Sequence, residues 1–189
     1  MSTKALIGIL LAGTAGILIF LFVHLSGGDS PKVAIGSKEA QACAKGGEDC
    51  LPDVNYVDTQ GTAYTFASLH GKVVIVNFWA TWCGPCKKEL PELSRLYKKY
   101  KAQGVVMLGV LTSDTPDEDT LLNFQSDYEM EFPIVRQTSD ILVSFNYPGA
   151  LPTTFVFDRH GKRVGPPHVG AIRADELDAQ LAQLVAQKN

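Results

Sequence analysis

Two cysteines carry the most chemistry in this sequence: Cys83 and Cys86, in the run Trp82-Cys83-Gly84-Pro85-Cys86. The run falls between an apolar stretch that reads as a buried strand and an amphipathic stretch that reads as a helix. A thiol at that junction faces backbone N–H groups with no intrahelical partner and the positive end of the helix dipole, and both favour thiolate over thiol. Thiolate is the form that attacks disulfides. With two residues intervening, the second cysteine reaches back one turn to resolve a mixed disulfide, so the pair can cycle between dithiol and disulfide. The spacing predicts Cys83 as an exposed nucleophile and Cys86 as a buried resolving thiol. The competing chemistry for such a pair is half of a four-thiolate zinc cage, which needs a second pair. Only Cys43 and Cys50 remain, with six residues between them in a stretch that reads as a tether, so redox chemistry is expected and no metal.

The elements that must hold this pair follow from hydrophobic patterning. Val73 to Phe78 and Val105 to Leu111 are continuous apolar runs, as expected of central strands covered on both faces. Between them Leu90, Leu93, Leu96, Tyr97 and Tyr100 recur at helical spacing, while Lys87, Lys88, Arg95, Lys98 and Lys99 fill the opposite face. The result is a strand-helix-strand unit, with Pro91 expected to kink the helix. Asp117 to Tyr128 reads as a second helix with Leu121, Leu122 and Phe124 inward, and Phe132 to Val135 as a short strand. Thr153 to Asp158 and Arg163 to Gly170 flank the turn Arg159-His160-Gly161-Lys162 and read as a hairpin. A last helix carries Asp175 and Glu176 in its first turn and Leu177, Leu181, Leu184 and Val185 on one face. The expected class is α/β.

The stretch Val76-Asn77-Phe78-Trp79-Ala80-Thr81-Trp82-Cys83-Gly84-Pro85-Cys86-Lys87-Lys88-Glu89-Leu90-Pro91 resembles the active-site segment of the TlpA/ResA/CcmG group of membrane-anchored thioredoxin-like proteins. The likeness covers about residues 50 to 187. It implies a thioredoxin fold, a central mixed sheet with flanking helices and this group's inserted helix and strand, and the activity of a thiol:disulfide oxidoreductase without a cofactor. Leu151-Pro152-Thr153-Thr154-Phe155 matches the loop in which the thioredoxin family holds a cis-proline beside the cysteines. The resemblance makes Pro152 cis and has Leu151 offer its backbone to the extended chain of a client, with Trp82, Gly84 and Pro85 shaping the surface that meets it. Read without the resemblance, Pro152 is an ordinary trans proline at a strand start.

Two positions depart from thioredoxin. Asn77 stands where thioredoxin has a buried aspartate that assists proton transfer, and Asn77 cannot titrate. Glu89 occupies the place of an active-site glutamate in the ResA subgroup, where it could take over that proton; it reads equally as a solvated helix carboxylate paired with a nearby lysine. Gly84-Pro85 is thioredoxin-like and leans towards a reductant. By resemblance the clients are disulfide-bearing proteins such as apocytochromes c or copper-site proteins of respiratory oxidases, and the electron donor is a membrane thiol-disulfide transporter. The rival is a copper-delivery protein of similar fold using Cys83, Cys86 and His168, although that relative spaces its cysteines by three residues rather than two. A peroxidase would need a threonine where Ala80 stands.

At 189 residues the chain is one domain of ordinary size with something added, and a net charge of -3 gives no reason to expect nucleic acid. The addition begins with Ala5 to Leu25, a run without Lys, Arg, Asp or Glu that would span roughly 30 Å as a helix, the thickness of a bilayer's hydrocarbon core. A secretory signal would use a shorter apolar region. Residues 1–25 are therefore expected to be a membrane anchor, 26–49 a flexible tether and 50–189 the folded domain. The Ala40-Gln41-Ala42 triplet before Cys43 resembles a cleavage or lipidation site but lies far beyond the apolar run. With Lys4 retained inside, the expectation is a single-pass protein of the cytoplasmic membrane whose catalytic domain faces the periplasm or the exterior. In that oxidising setting Cys43 and Cys50 pair as a structural disulfide or serve as a second redox relay.

Overall fold

The computed structural model describes Cys43, Gly47 and residues 49–187, all within one compact unit, Ser37–Asn189. Ala5 to Leu25 and the Ala40-Gln41-Ala42 triplet lie outside the described residues. Among the described residues no helix is long and apolar enough to cross a membrane.

A small antiparallel hairpin opens the fold, β1 (Tyr56–Val57) with β2 (Ala63–Tyr64), followed by a one-turn helix α1 (Phe66–Leu69) closed by a Thr65–Ser68 capping box. The centre is β3 (Val73–Trp79), in which all seven residues are buried because helices cover both faces of the sheet. After β3 come α2 (Gly84–Tyr100), a 3-10 turn (Lys101–Gln103), β4 (Val105–Leu111), α3 (Glu118–Asp127) and β5 (Ile134–Arg136). The chain finishes with α4 (Ser139–Ser144), β6 (Thr153–Phe157), β7 (His168–Val169) and α5 (Ala174–Ala186). The strand order is β5-β4-β3-β6-β7, with β3, β4 and β5 parallel and β6 and β7 added antiparallel. This is the expected mixed sheet with flanking helices.

Alternation along the strands assigns two cores. Val73, Ile75 and Trp79 of β3 join Met107, Leu111 and Val156 under Leu90, Leu93 and Leu96 of α2 and Leu177, Leu181 and Leu184 of α5. Val74, Val76 and Phe78 point the other way, into a cluster with Tyr56, Leu108, Ile141, Phe145, Phe155 and Phe157. Asn77 and Thr154 share the parity of the first cluster, so both aim at the α2 and α5 side.

Several expectations need correction. Leu122 is 54% exposed, because the apolar stripe of α3 is carried by Leu121 and Phe124 alone. Phe132 lies outside β5, which starts after Pro133, a residue with no N–H for the ladder. The return strand of the β6 hairpin shrinks to His168–Val169, since Gly165-Pro166-Pro167 interrupts it. The second helix of the inserted region, α4, has no counterpart in the sequence reading. Pro91 stands inside α2, where the sequence puts it.

Candidate active site

The redox pair sits at a helix start, as its position between strand and helix requires. Cys83 is the N-cap of α2 and its Sγ accepts the N–H of Cys86 at 3.2 Å, with Pro85 in the first turn where a missing N–H costs nothing. Cys83 and Cys86 are joined as a disulfide, Cα atoms 5.3 Å apart. Cys83 is only 3% exposed, against the expectation of an exposed nucleophile. The cap geometry turns its sulfur towards its own helix and the bond ties it to the fully buried Cys86, so the exposed surface here belongs to Trp82, Gly84 and Pro85.

A second loop clamps the residues before the cysteines. Asp114 Oδ2 accepts both the N–H (2.7 Å) and the hydroxyl (2.6 Å) of Thr81, and the indole N–H of Trp82 donates to the carbonyl of Ser113 at 3.1 Å. Ser113 has φ 54°, a left-handed conformation uncommon for serine. Its N–H donates to Gln137 Oε1 at 2.9 Å, and the Thr112 hydroxyl donates to the same oxygen. Thr81, Asp114, Ser113 and Gln137 were not candidates in the sequence. Their partners are 24 to 33 positions apart, a spacing that leaves no local signal.

The Leu151–Pro152 peptide is cis. Antiparallel pairing of β3 with β6 ends at Phe78–Thr153, so Pro152 lies at the sheet end from which the chain runs into Cys83. The carbonyl of Pro152 is taken by Gly170 N–H at 2.8 Å, and the Thr153 hydroxyl donates to Ala150 O at 2.8 Å. Leu151 is half-buried against both cores, and its own N–H and C=O take part in no hydrogen bond among the described residues.

Glu89 is 4% exposed, which excludes the solvated carboxylate paired with lysine. It lies three residues after Cys86, one turn along the same buried face of α2. Its Oε1 accepts from Asn77 Nδ2 at 2.8 Å and its Oε2 from the N–H of Ile172 at 2.8 Å, while Asn77 Nδ2 also donates to Thr154 Oγ1 at 3.0 Å. Burial raises the carboxyl above the usual glutamate value; the two donated hydrogen bonds and the nearby His168 oppose this without cancelling it. Asn77 Oδ1 is buried and has no partner among the described residues, an unused acceptor next to a group able to gain a proton. Lys87, two residues before Glu89, lies over the rings of Phe124 and Tyr128 at 5.9 and 6.0 Å.

Cys43 and Cys50 are also bonded, with Cα atoms 5.4 Å apart. His168, the third donor that copper delivery requires, has its Nε2 3.3 Å from Ala171 O, and among the described residues no three His, Cys, Asp or Glu side chains gather as a metal site.

Comparison with known proteins agrees with this arrangement. Residues 48–163 match the AhpC/TSA family. The thiol-disulfide oxidoreductase ResA of Bacillus anthracis is 30% identical over 181 residues, 96% of this chain and 94% of that protein. Among solved structures, a thiol:disulfide interchange protein of the thioredoxin family from Chlorobium tepidum TLS superposes with a TM-score of 0.62 at 27% identity, covering 72% of this chain and 96% of its own. A secreted Mycobacterium tuberculosis disulfide oxidoreductase homologous to E. coli DsbE gives 0.58 at 27% identity, covering 70% and 96%.

Proposed function

The chain belongs to the AhpC/TSA family, and from that premise we propose how it works as a thiol-disulfide oxidoreductase of thioredoxin-like fold: Cys83 attacks and Cys86 resolves. The observation that carries this assignment is the Cys83–Cys86 disulfide across the first turn of α2, at the sheet end that also holds cis-Pro152. Once the pair is reduced, the Cys86 N–H and the start of α2 stabilise a thiolate on Cys83. That thiolate attacks one sulfur of a client disulfide, forming a mixed disulfide and releasing the other client sulfur as thiolate. Cys86 then gives its proton to the Glu89 carboxylate and bonds to Cys83, and the second client sulfur leaves with its electron pair. Asn77 assists by turning its amide, so that the unused Oδ1 can accept from a protonated Glu89.

Leu151 supports the client: its free N–H and C=O can pair with an extended client segment laid along the loop, with Trp82, Gly84 and Pro85 forming the exposed surface on the other side of the sulfurs. The direction we propose is reduction of client disulfides, in keeping with Gly84-Pro85 between the cysteines. Clients in cytochrome c maturation or respiratory oxidase assembly, and a membrane thiol-disulfide transporter as donor, fit a ResA-like protein. An anchor at Ala5 to Leu25 with the catalytic domain outside the cytoplasm completes the proposal, supported by the uncharged length of that run.

The test is a Cys86→Ser variant expressed in membranes, which lacks the resolving thiol and should hold clients as mixed disulfides on Cys83. Recovery of none under turnover conditions, with the variant folded, would refute the assignment of Cys83.

A further inference from the structure

The hydrogen bonds around Glu89 do not end at Asn77. Asn77, Thr154 and His168 are direct cross-strand partners on β3, β6 and β7, so their side chains form one polar row on the α2 and α5 face of an otherwise apolar sheet. The row runs from beneath the redox helix to the open edge of the sheet, where β7 has no further strand beyond it. Outside that edge lies a cleft of about 490 Å3, lined by Thr154, His168 and Ile172 and closed by Glu176, Leu177 and Gln180 of α5.

A single peptide group joins the histidine to the buried carboxylate. His168 Nε2 lies 3.3 Å from the carbonyl of Ala171, and the N–H of the same Ala171–Ile172 peptide donates to Glu89 Oε2 at 2.8 Å. A donor on the carbonyl polarises the peptide and strengthens the bond its N–H makes, as hydrogen bonds in series do. The other charged groups on this side are accounted for. Glu176 of α5 is bridged by Arg173 at 3.3 Å, Arg173 also pairs with Asp175, and β3 and β6 contribute only the neutral Asn77 and Thr154.

We propose that His168 is a positioning residue for disulfide exchange: through the Ala171–Ile172 peptide it sets how readily Glu89 holds a proton, and the cleft beside it is where that proton meets water. The inference rests on the reading of Glu89 as proton acceptor for Cys86. In the resolving step the Cys86 proton moves to Glu89 as the Cys83–Cys86 bond forms and the client thiolate departs. Above Glu89's own titration point the carboxyl then releases the proton to water in the cleft, and the departed thiolate draws its proton from bulk solvent. A protonated imidazole at His168 favours the ionised carboxylate and so speeds this release. Loss of the imidazole leaves the carboxyl protonated for longer.

The experiment follows the Glu89 carboxyl by 13C NMR across pH in the full-length oxidised chain, for the unaltered protein, His168→Gln and His168→Leu. Glutamine keeps a donor for Ala171 without the charge, and leucine keeps neither. The expected result is an upward displacement of the Glu89 midpoint by about half a pH unit or more in His168→Leu and less in His168→Gln. In reduction of a disulfide-bonded model peptide, kcat should fall about tenfold with KM unchanged, short of the roughly 100-fold expected on removing a group that handles the proton directly. In a third variant, His168→Ala, which empties the place of the ring, added imidazole should restore part of the rate. Midpoints that coincide in the unaltered protein and His168→Ala, with no rescue by imidazole, would overturn the inference even if His168→Leu fails to fold. The two readings fail separately: coincident midpoints in a chain that exchanges disulfides remove His168 alone, whereas displaced midpoints in a chain that exchanges none remove the role given to Cys83 and Cys86.

Discussion

At the scale of single residues, the site depends on groups whose energetics can be read from their partners. Asp114 supplies one carboxylate oxygen to both donors of Thr81, and hydrogen bonds to a charged group contribute about 1.5–3 kcal/mol each. Asp114→Ala should therefore lower stability by about 2–3 kcal/mol. It should also reduce turnover by loosening the residues just before Cys83, whereas Asp114→Asn, which retains an acceptor, should recover most of both. Urea melts and insulin-reduction rates measured on the two variants check this. Glu89 makes a pH prediction whose sign follows from burial. Its folded-state value is raised above the usual 4.5, so its favourable contribution is complete below the unfolded value and is lost as pH climbs through the folded one. Glu89→Gln, uncharged throughout, should gain in melting temperature relative to the unaltered protein as pH rises from about 4 to 8. A gap that narrows over that range would contradict the buried, raised carboxyl. Motif spacing is local information and brought out Cys83 and Cys86; Glu89 and Pro152 came from the resemblance to a known family. The sequence could not assign Glu89 to burial, nor find Asp114, Ser113 or Gln137, since those contacts are made by loops brought together only by the fold.

Among the elements, strands β3 and β4 and helices α2 and α5 were legible because long apolar runs and a sustained 3.6-residue stripe are strong signals. Helix α4 was not. It is six residues long, and its end lacks the glycine that usually marks a stop. Asn146 instead takes the left-handed position at φ 54°, with Asn146 N–H on Val143 O and Tyr147 N–H on Leu142 O, the paired bonds of a Schellman ending. Helix α3 ends the same way on Glu129 at φ 50°. In β4 the reason for a glycine is packing rather than turning. A Cβ on Gly109 of β4 would come within 2.6 Å of the Phe132 ring and 3.1 Å of the Trp79 indole nitrogen. Both aromatic side chains are almost fully buried and have little freedom to retreat. Gly109→Ala should cost about 1–3 kcal/mol, the usual penalty for overpacking, and should disturb the end of β3 that feeds the active site. Chemical denaturation with tryptophan fluorescence as the probe would register both effects, and a neutral substitution would show that the ring can yield.

For the molecule as a whole, the second disulfide has a role separable from the first. Cys50 pairs with Lys162 in a β-bridge, Leu51 N–H donates to Gly161 O and Arg163 N–H to Asp49 O, so the segment after Cys43 is laced to the turn that follows β6. The Cys43–Cys50 bond closes a short loop at that edge, worth roughly 2.5 kcal/mol on chain entropy. The double variant Cys43→Ser/Cys50→Ser should lose about that much stability while keeping its rate of disulfide exchange. A relay would reveal itself by the opposite pattern, with stability kept and turnover lost when electrons are supplied by a protein donor.

The same lacing fixes a polarity. The turn after β6 lies at the sheet end where β3 begins, whereas the sulfurs of Cys83 and Cys86 lie where β3 finishes. Cys43 is therefore fastened at one pole of the sheet and the reactive bond opens at the other, like a lamp whose cord enters opposite the bulb. A client meeting the lit end therefore docks at the pole opposite the fastening of Cys43, and a partner that grips the corded end holds residues apart from Cys83, Cys86 and Pro152.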